Sequence, residues 1–311
     1  MFTRIRKRYQ EIRGQICFDW GDCNQTIFLA GSGRSGTTWI QEIINYDNSF
    51  RIMFEPFHSL KIDILKEWNY LQYLRYDNKD KKYIEPATKI FEGKIRHPWV
   101  DRYNRRFFTN KRLIKDIRAN LFLKWIKYNF PEIPIVFILR HPCAVVSSKM
   151  KLKWDTHLDL FLEQEDCVTD YLNPFKKELE EVSDNFEKHI YMWCVENYIP
   201  LKQFNMDDIL VVFYEDLCDN RENEIENILS FLGNKVSSKV FEMSKKPSSQ
   251  SRLTSTINTG ESLVSSWRKY ITNEQIGRAV EILKIFGLDA IYGEGDYPLV
   301  SGKEALSVFS D

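Results

Sequence analysis

The chain has 311 residues, of which 43% are hydrophobic and 14% aromatic, and its 44 Lys and Arg balance 44 Asp and Glu to a formal net charge of zero. That apolar content excludes a disordered chain, and the lack of a basic excess argues against a general nucleic-acid binder. At roughly 100–200 residues per domain, the length fits a single large domain with a sizeable core.

The N-terminus is basic (Arg4, Arg6, Lys7, Arg8, Arg13), but no apolar run follows it, so neither a signal peptide nor a membrane span is expected. Thr26–Ala30 is a short apolar run stopped by Gly31, which predicts a buried parallel strand. Apolar residues at 39, 40, 43 and 44 predict a helix over Thr37–Tyr46. Phe50–Phe54 predicts a second strand, and Leu60–Leu74 a helix. Asn78–Asn110 is weakly periodic and rich in charge, and reads as an insertion or lid. Arg112–Lys115 predicts a short strand, Leu121–Phe130 a helix stopped by Pro131, and Ile135–Leu139 the clearest strand of all. Pro142 falls where N1 of the next helix belongs. Leu158–Glu187 is acidic and partly irregular, with the variable stretch beginning at 155. Phe186–Phe204 predicts a long helix, Ile209–Phe213 a strand, and Glu222–Leu232 a helix closed by Gly233. Ser244–Ser266 reads as a Ser/Thr-rich loop, and Asn273–Phe286 as a helix with Gly287 as its C-cap. Strands alternating with helices predict an α/β fold of three layers, with a mostly parallel central sheet flanked by helices.

The six cysteines, at 17, 23, 143, 167, 194 and 218, form no C-x-x-C pair and no Cys/His cluster of zinc spacing. Free thiols in a reducing, cytoplasmic setting are expected, and no metal.

The most informative stretch is Gly31-Ser32-Gly33-Arg34-Ser35-Gly36-Thr37-Thr38, between a strand and a helix. In that context successive backbone N–H groups and the helix N-terminus make an anion cradle. The spacing is that of a P-loop, but Thr37 stands where the P-loop lysine belongs. Without that lysine a kinase or NTPase, the alternative for this fold, is disfavoured. A 5′-phosphate bearing a group to be transferred still fits. A second strand delivers Arg140 to its C-terminal end, and Ser148 follows eight residues later, about two helical turns on. A guanidinium and a hydroxyl so placed can grip a second phosphate.

Together these motifs resemble the sulfotransferases that use 3′-phosphoadenosine 5′-phosphosulfate (PAPS). The Tyr214-Glu215-Asp216-Leu217 run and Ser265-Ser266-Trp267-Arg268-Lys269-Tyr270 resemble the same family. The matches run in order from about residue 26 to 270. Arg34-Ser35-Gly36-Thr37-Thr38 and Phe54-Glu55-Pro56-Phe57-His58 look more like the carbohydrate and tyrosylprotein branch than the cytosolic aryl and steroid branch.

The resemblance implies a single sulfotransferase domain over 1–311, with PAPS as co-substrate, PAP as product and no metal. It implies transfer to a hydroxyl of a small-molecule, natural-product or carbohydrate acceptor, a peptide or lipid being the alternative. Gly33, Arg34, Ser35, Gly36, Thr37 and Thr38 would hold the 5′-phosphosulfate, and Arg140 and Ser148 the 3′-phosphate. Arg268 and Lys269 would reach the 3′-phosphate from the late loop, where Ser251, Arg252 and Ser255 are weaker candidates. Trp267 would pack on the nucleotide. Trp39 stacks near the adenine or serves the core. Glu55 is the expected base, with His58 as runner-up, and Lys115 faces the sulfonate. Glu55 is expected beside the phosphate loop because its strand should neighbour the first strand. His141, Trp193 and Tyr214 read as packing residues.

The zero net charge hides opposed segments. Residues 79–118 hold 13 Lys/Arg and 5 Asp/Glu, whereas residues 159–187 hold 2 and 10. The basic segment would add positive potential near a polyanionic nucleotide, and the acidic one would favour a neutral or cationic acceptor.

Overall fold

In the computed structural model, residues 16–245 and 262–309 are described. Five parallel strands form the central sheet: β1 (Thr26–Gly31), β2 (Arg51–Phe54), β3 (Arg112–Asp116), β4 (Ile135–Leu139) and β5 (Leu210–Phe213), in the order β2-β3-β1-β4-β5. Each strand is a short, almost wholly buried run, because helices cover both faces. Side chains alternate between two cores. Ile27, Leu29, Leu113, Val136 and Ile138 pack on one face with helices α1 (Thr37–Ile44) and, later in the chain, Arg221–Phe231. Phe28, Ala30, Ile114, Ile135 and Phe137 pack on the other, with α2 (Lys81–Phe91), α3 (Leu123–Asn129), α4 (Pro142–Lys151), α5 (Asn185–Gln203) and α6 (Asn273–Ile285). The three-layer α/β fold expected from the sequence is the observed one.

Three local expectations differ from what is observed. Leu60–Leu74 is not a helix: only a 3₁₀ turn at Asp63–Leu65 forms, and the rest is turns and irregular chain. Its apolar residues, including Leu65, Trp68 and Leu71, are nevertheless buried, so the helix-like spacing reflects burial from an irregular path. Within 78–110 a regular helix, α2, buries Tyr83, Ala87, Ile90 and Phe91 in the main core despite the charged sequence around them. The third difference concerns the sheet: β3 lies between β1 and β2, so the strand leading to Glu55 is not the neighbour of β1. Most of Ser244–Ser266, with Ser251, Arg252 and Ser255, lies outside the described residues.

Two arginines at the starts of neighbouring strands are fully buried. Arg51 binds Asp19 at 3.0 Å and Asp101 at 2.7 Å, and Arg112 binds Asp19 at 2.7 Å. This network ties the chain before β1 to the amino end of the sheet, away from the phosphate loop. All six cysteines are free. Among the described residues no helix is long and apolar enough to cross a membrane.

Candidate active site

The loop after β1 closes on itself through a Ser35 N–H donated to the Ser32 carbonyl at 3.1 Å. Gly36, the N-cap of α1, has φ +96°, and a Cβ there would sit 2.5 Å from the Tyr214 ring. Backbone conformation and space both demand glycine. At Gly33 a Cβ would meet the Trp154 ring at 2.6 Å. Arg34 is left-handed with φ +79°, an uncommon state for a side-chain-bearing residue. Thr37 and Ser35 are buried, and Ser35 Oγ has no hydrogen-bond partner among the described residues. From below, Asn197 on α5 donates to Ser32 Oγ at 3.2 Å.

The second motif meets this loop directly. Arg34 Nε donates to Ser148 Oγ at 2.9 Å, and Arg140 Nη1 donates to the Arg34 carbonyl at 3.1 Å. The Arg140 guanidinium lies 3.9 Å above the Tyr214 ring, and its Nε is buried without a partner among the described residues. Residues from β1, β4 and the segment after β5 therefore converge on one patch of cations and hydroxyls.

The carboxylate cluster stands at the same end of the sheet. Lys115 pairs in register with Leu29 of β1 on one side and Phe54 of β2 on the other. Its Nζ donates to Glu55 Oε1 at 2.9 Å, with the two side chains 4% and 5% exposed. Arg118 donates to Glu55 Oε2 at 2.5 Å and to the Tyr70 hydroxyl at 2.7 Å. Glu55 has φ +45°, a strained turn out of β2 held by its own N–H bond to the Lys115 carbonyl at 2.7 Å. Burial alone would raise the Glu55 carboxyl, but the Lys115 and Arg118 charges outweigh it and hold it below the usual carboxylate range. One carboxylate shared by two cations cannot fully compensate both, so burial keeps the Lys115 ammonium below its ordinary value despite Glu55. Asp116, pushed up to about 6 by burial and by the Glu55 charge, accepts the N–H groups of Phe57 and Arg118 and braces both segments. Arg118 escaped sequence reasoning. Its only signal is its place, two residues past the strand end in Asp116-Ile117-Arg118.

His58 lies against Tyr70 and Trp99, 5.3 and 5.4 Å between ring centres. Burial first, and then the Arg118 and Lys61 charges, push it down to about 4, and its Nδ1 has no partner among the described residues. A cavity of ≈ 300 Å³ opens alongside, lined among others by Gly33, Arg118, Tyr70, Trp154, Lys149 and Glu196. Lys149 and Glu196 form a buried ion pair at 3.4 Å.

The remaining candidates sit further out. Trp39 is buried edge-on to Tyr214 and donates its indole N–H to the Ser244 carbonyl at 3.2 Å. Trp267 stacks on His141 with centroids 4.6 Å apart. Its neighbour Arg268 pairs with Asp296 at 2.6 Å, and Lys269 ends the same 3₁₀ turn. His141 caps α4 by accepting the Cys143 N–H, and Trp193 donates to the Arg140 carbonyl at 3.2 Å from within the core.

A glycine-bearing loop and a carboxylate held by two cations stand at the carboxyl ends of a parallel sheet, and Gly33 of the loop lines the same cavity as Arg118, an arrangement suited to group transfer from a phosphorylated donor. A family model described as "Sulfotransferase domain" matches residues 24–290, and the chain belongs to the sulfotransferase family. Similar solved structures include mouse sulfotransferase SULT7A1 complexed with PAP, at 14% identity and a TM-score of 0.46, covering 96% of this chain and 94% of that one. Sulfotransferase STF9 from Mycobacterium avium is similar at 13% identity and a TM-score of 0.46, over 87% and 78% of the two chains. Retinol dehydratase in complex with retinol and PAP is similar at 18% identity and a TM-score of 0.42, over 92% and 86%. No curated protein matches the chain.

Proposed function

We propose that the protein transfers a sulfonate group from PAPS to a hydroxyl of a small-molecule, natural-product or carbohydrate acceptor, releasing PAP, with Glu55 as the base and without a metal. The observation that carries this reading is the shared cavity: Gly33 of the phosphate loop and Arg118, which holds Glu55, line the same space. The residues present suit such a nucleotide. Trp154 and Tyr214 pack so closely on Gly33 and Gly36 that a Cβ would push their rings off the loop, and Ser35 Oγ and Arg140 Nε are buried polar atoms without a partner among the described residues.

When bound, the nucleotide supplies the sulfonate and a 5′-phosphate leaving group. Gly33–Thr38 hold the 5′ end through backbone N–H groups and the start of α1. Arg140 and Ser148 hold the 3′-phosphate. Trp267, Arg268 and Lys269 approach it from the late segment. Arg268 must then exchange its Asp296 partner, a half-exposed pair of little worth. Trp39 stays at the nucleotide side of α1.

Glu55 is ionised, the form that can accept a proton. To take one from an acceptor hydroxyl at Oε1, it must lose a cation contact. Lys115 is the contact that yields, because its charge is the less compensated, and it turns toward the sulfonate oxygens. That turn raises the proton affinity of Glu55 when a proton has to be taken. His58, neutral and with an Nδ1 that has no partner among the described residues, contacts the acceptor.

We read residues 1–311 as one domain. Asp155 and His157 line the cavity, which supports an acceptor-side role for the 155–187 stretch. Any lid in 78–110 falls to the stretch around Trp99, which meets His58, since α2 is packed into the core and Phe108–Thr109 pairs with Phe18–Asp19 at the far end of the sheet.

The test is transfer of radiolabelled sulfonate from PAPS to a panel of phenols, glycosides and hydroxylated natural products, with a chelator present. Labelled acceptor is the expected result. Magnesium-dependent hydrolysis of a nucleoside triphosphate, with no labelled acceptor, would reject the reading.

A further inference from the structure

The chain entering the sheet has its polarity inverted. Phe18–Asp19 pairs in parallel with Phe108–Thr109 as a two-stranded ribbon at the amino end of the molecule. Along it the charged residue faces inward: the Asp19 carboxylate is fully buried between Arg51 and Arg112. Alternation then forces Ile16, Phe18 and Trp20 outward. They are 54%, 63% and 66% exposed, and Phe108, stacked on Phe18 at 5.4 Å, is 60% exposed. The buried ion network fixes this orientation, so the apolar face cannot turn in to relieve its exposure. A contiguous apolar patch of this kind marks an interaction surface.

The charge around the patch says what covers it. Arg105 and Lys111 flank Phe108 in the sequence and are exposed, and the exposed Arg96 donates to the Cys17 carbonyl at 2.9 Å. Asp22 is the nearest exposed acid in the sequence. The sequence before Ile16 carries Arg4, Arg6, Lys7, Arg8 and Arg13 against a single acid, Glu11, with apolar Phe2, Ile5, Tyr9 and Ile12 between them. Basic residues interleaved with apolar ones at such spacing suit an anionic lipid surface. A second copy fits less well, because a two-fold contact would set these cations against their own copies.

We propose that this ribbon docks on an anionic lipid bilayer, with Phe18, Trp20 and Phe108 entering the interfacial layer and Arg105 and Lys111 meeting headgroup charge. Docking there leaves the phosphate loop, at the opposite ends of the strands, open to the aqueous side.

The test is flotation of the full chain with vesicles of phosphatidylcholine alone or mixed with phosphatidylserine. The wild type floats with the mixed vesicles and not with phosphatidylcholine. F18S/W20S/F108S lowers the bound fraction at least about tenfold. R105E/K111E does the same, and high salt releases the wild type. Both variants keep the wild-type melting temperature and PAP affinity, since none of these side chains lies in the core or the site. Three results would each overturn the proposal. In the first, the wild type ignores the mixed vesicles. In the second, the triple variant floats like the wild type. In the third, light scattering finds a wild-type dimer, without vesicle binding, that the triple variant dissolves.

Discussion

Glu55→Gln exchanges one carboxylate oxygen for an amide NH₂. In the native site Oε1 accepts from Lys115 at 2.9 Å and Oε2 from Arg118 at 2.5 Å. A glutamine offers only one acceptor, so whichever way its amide turns, the NH₂ faces a cationic donor. Two buried cations also lose their counter-charge. Breaking one partner of a buried pair costs about 3–5 kcal/mol, and the hydrogen bond glutamine keeps places the variant at the low end, about 3 kcal/mol. At about 1.5 °C per kcal/mol for a chain of 311 residues, Tm falls by about 5 °C. Loss of the base lowers kcat by about 10²–10⁴, with PAP affinity near wild type. The sign with pH follows from the depressed carboxyl. Its stabilising contribution is complete above the unfolded value of about 4.3 and disappears as pH falls through the lower folded value. The Tm gap between wild type and variant therefore closes in acid. Melting curves from neutral pH downward, calorimetric PAP binding and steady-state transfer rates together read all three effects. Adding Lys115→Met removes the uncompensated ammonium, so the double variant should recover part of the lost stability. A Glu55→Gln protein melting within about 1 °C of wild type at neutral pH would refute the ion-pair argument, and one that turns over normally would refute Glu55 as the base.

Other perturbations probe the surrounding parts. Gly36→Ala puts a Cβ 2.5 Å from the Tyr214 ring at φ +96°, so PAP affinity should fall at least about tenfold, and unchanged calorimetric binding would disprove the cradle. Arg140→Ala with Ser148→Ala should weaken binding of the 3′-phosphorylated nucleotide far more than that of its dephospho form; equal losses would remove both residues from the 3′-phosphate site. Glu215, buried and held at about 7, accepts the His141 N–H and the Tyr292 hydroxyl. Between the unfolded value of about 4.3 and the folded one, the native state keeps a proton the unfolded chain has lost. Stability from this group thus falls as pH rises across that window. The Tm advantage of wild type over Glu215→Gln should shrink over the same range, and a constant gap would show that Glu215 does not titrate there.

The motifs of the site were legible because each depends on local chain geometry. A strand, a glycine-bearing turn and a helix start are neighbours in sequence, so the strand–loop–helix unit around Gly33–Thr38 shows without tertiary information. Ile135–Leu139 followed by Pro142 announces the strand that carries Arg140 in the same way. Arg118 and Tyr70 were not legible. Arg118 meets Glu55 across 63 residues of sequence and Tyr70 across 48. Leu60–Leu74 misled because burial alone can space apolar residues like a helix when the chain winds irregularly over a core.

The sequence by itself determined the fold class, since periodicity encodes it, and its short motifs carried the resemblance to the family that the chain belongs to. Only the tertiary structure decided how Glu55 is held. Its strand lies one place further from the phosphate loop than adjacency in sequence suggested, and β3 fills the gap with Lys115 in register between Leu29 and Phe54. Strand order in a parallel sheet is set by which crossovers pack, a long-range property that no local pattern records. That order turns two separately plausible residues into one buried ion pair. The same holds for the balanced charge: its sum was readable at once, but the inward turn of Asp19 that leaves an aromatic face exposed required the buried arginines of two distant strands.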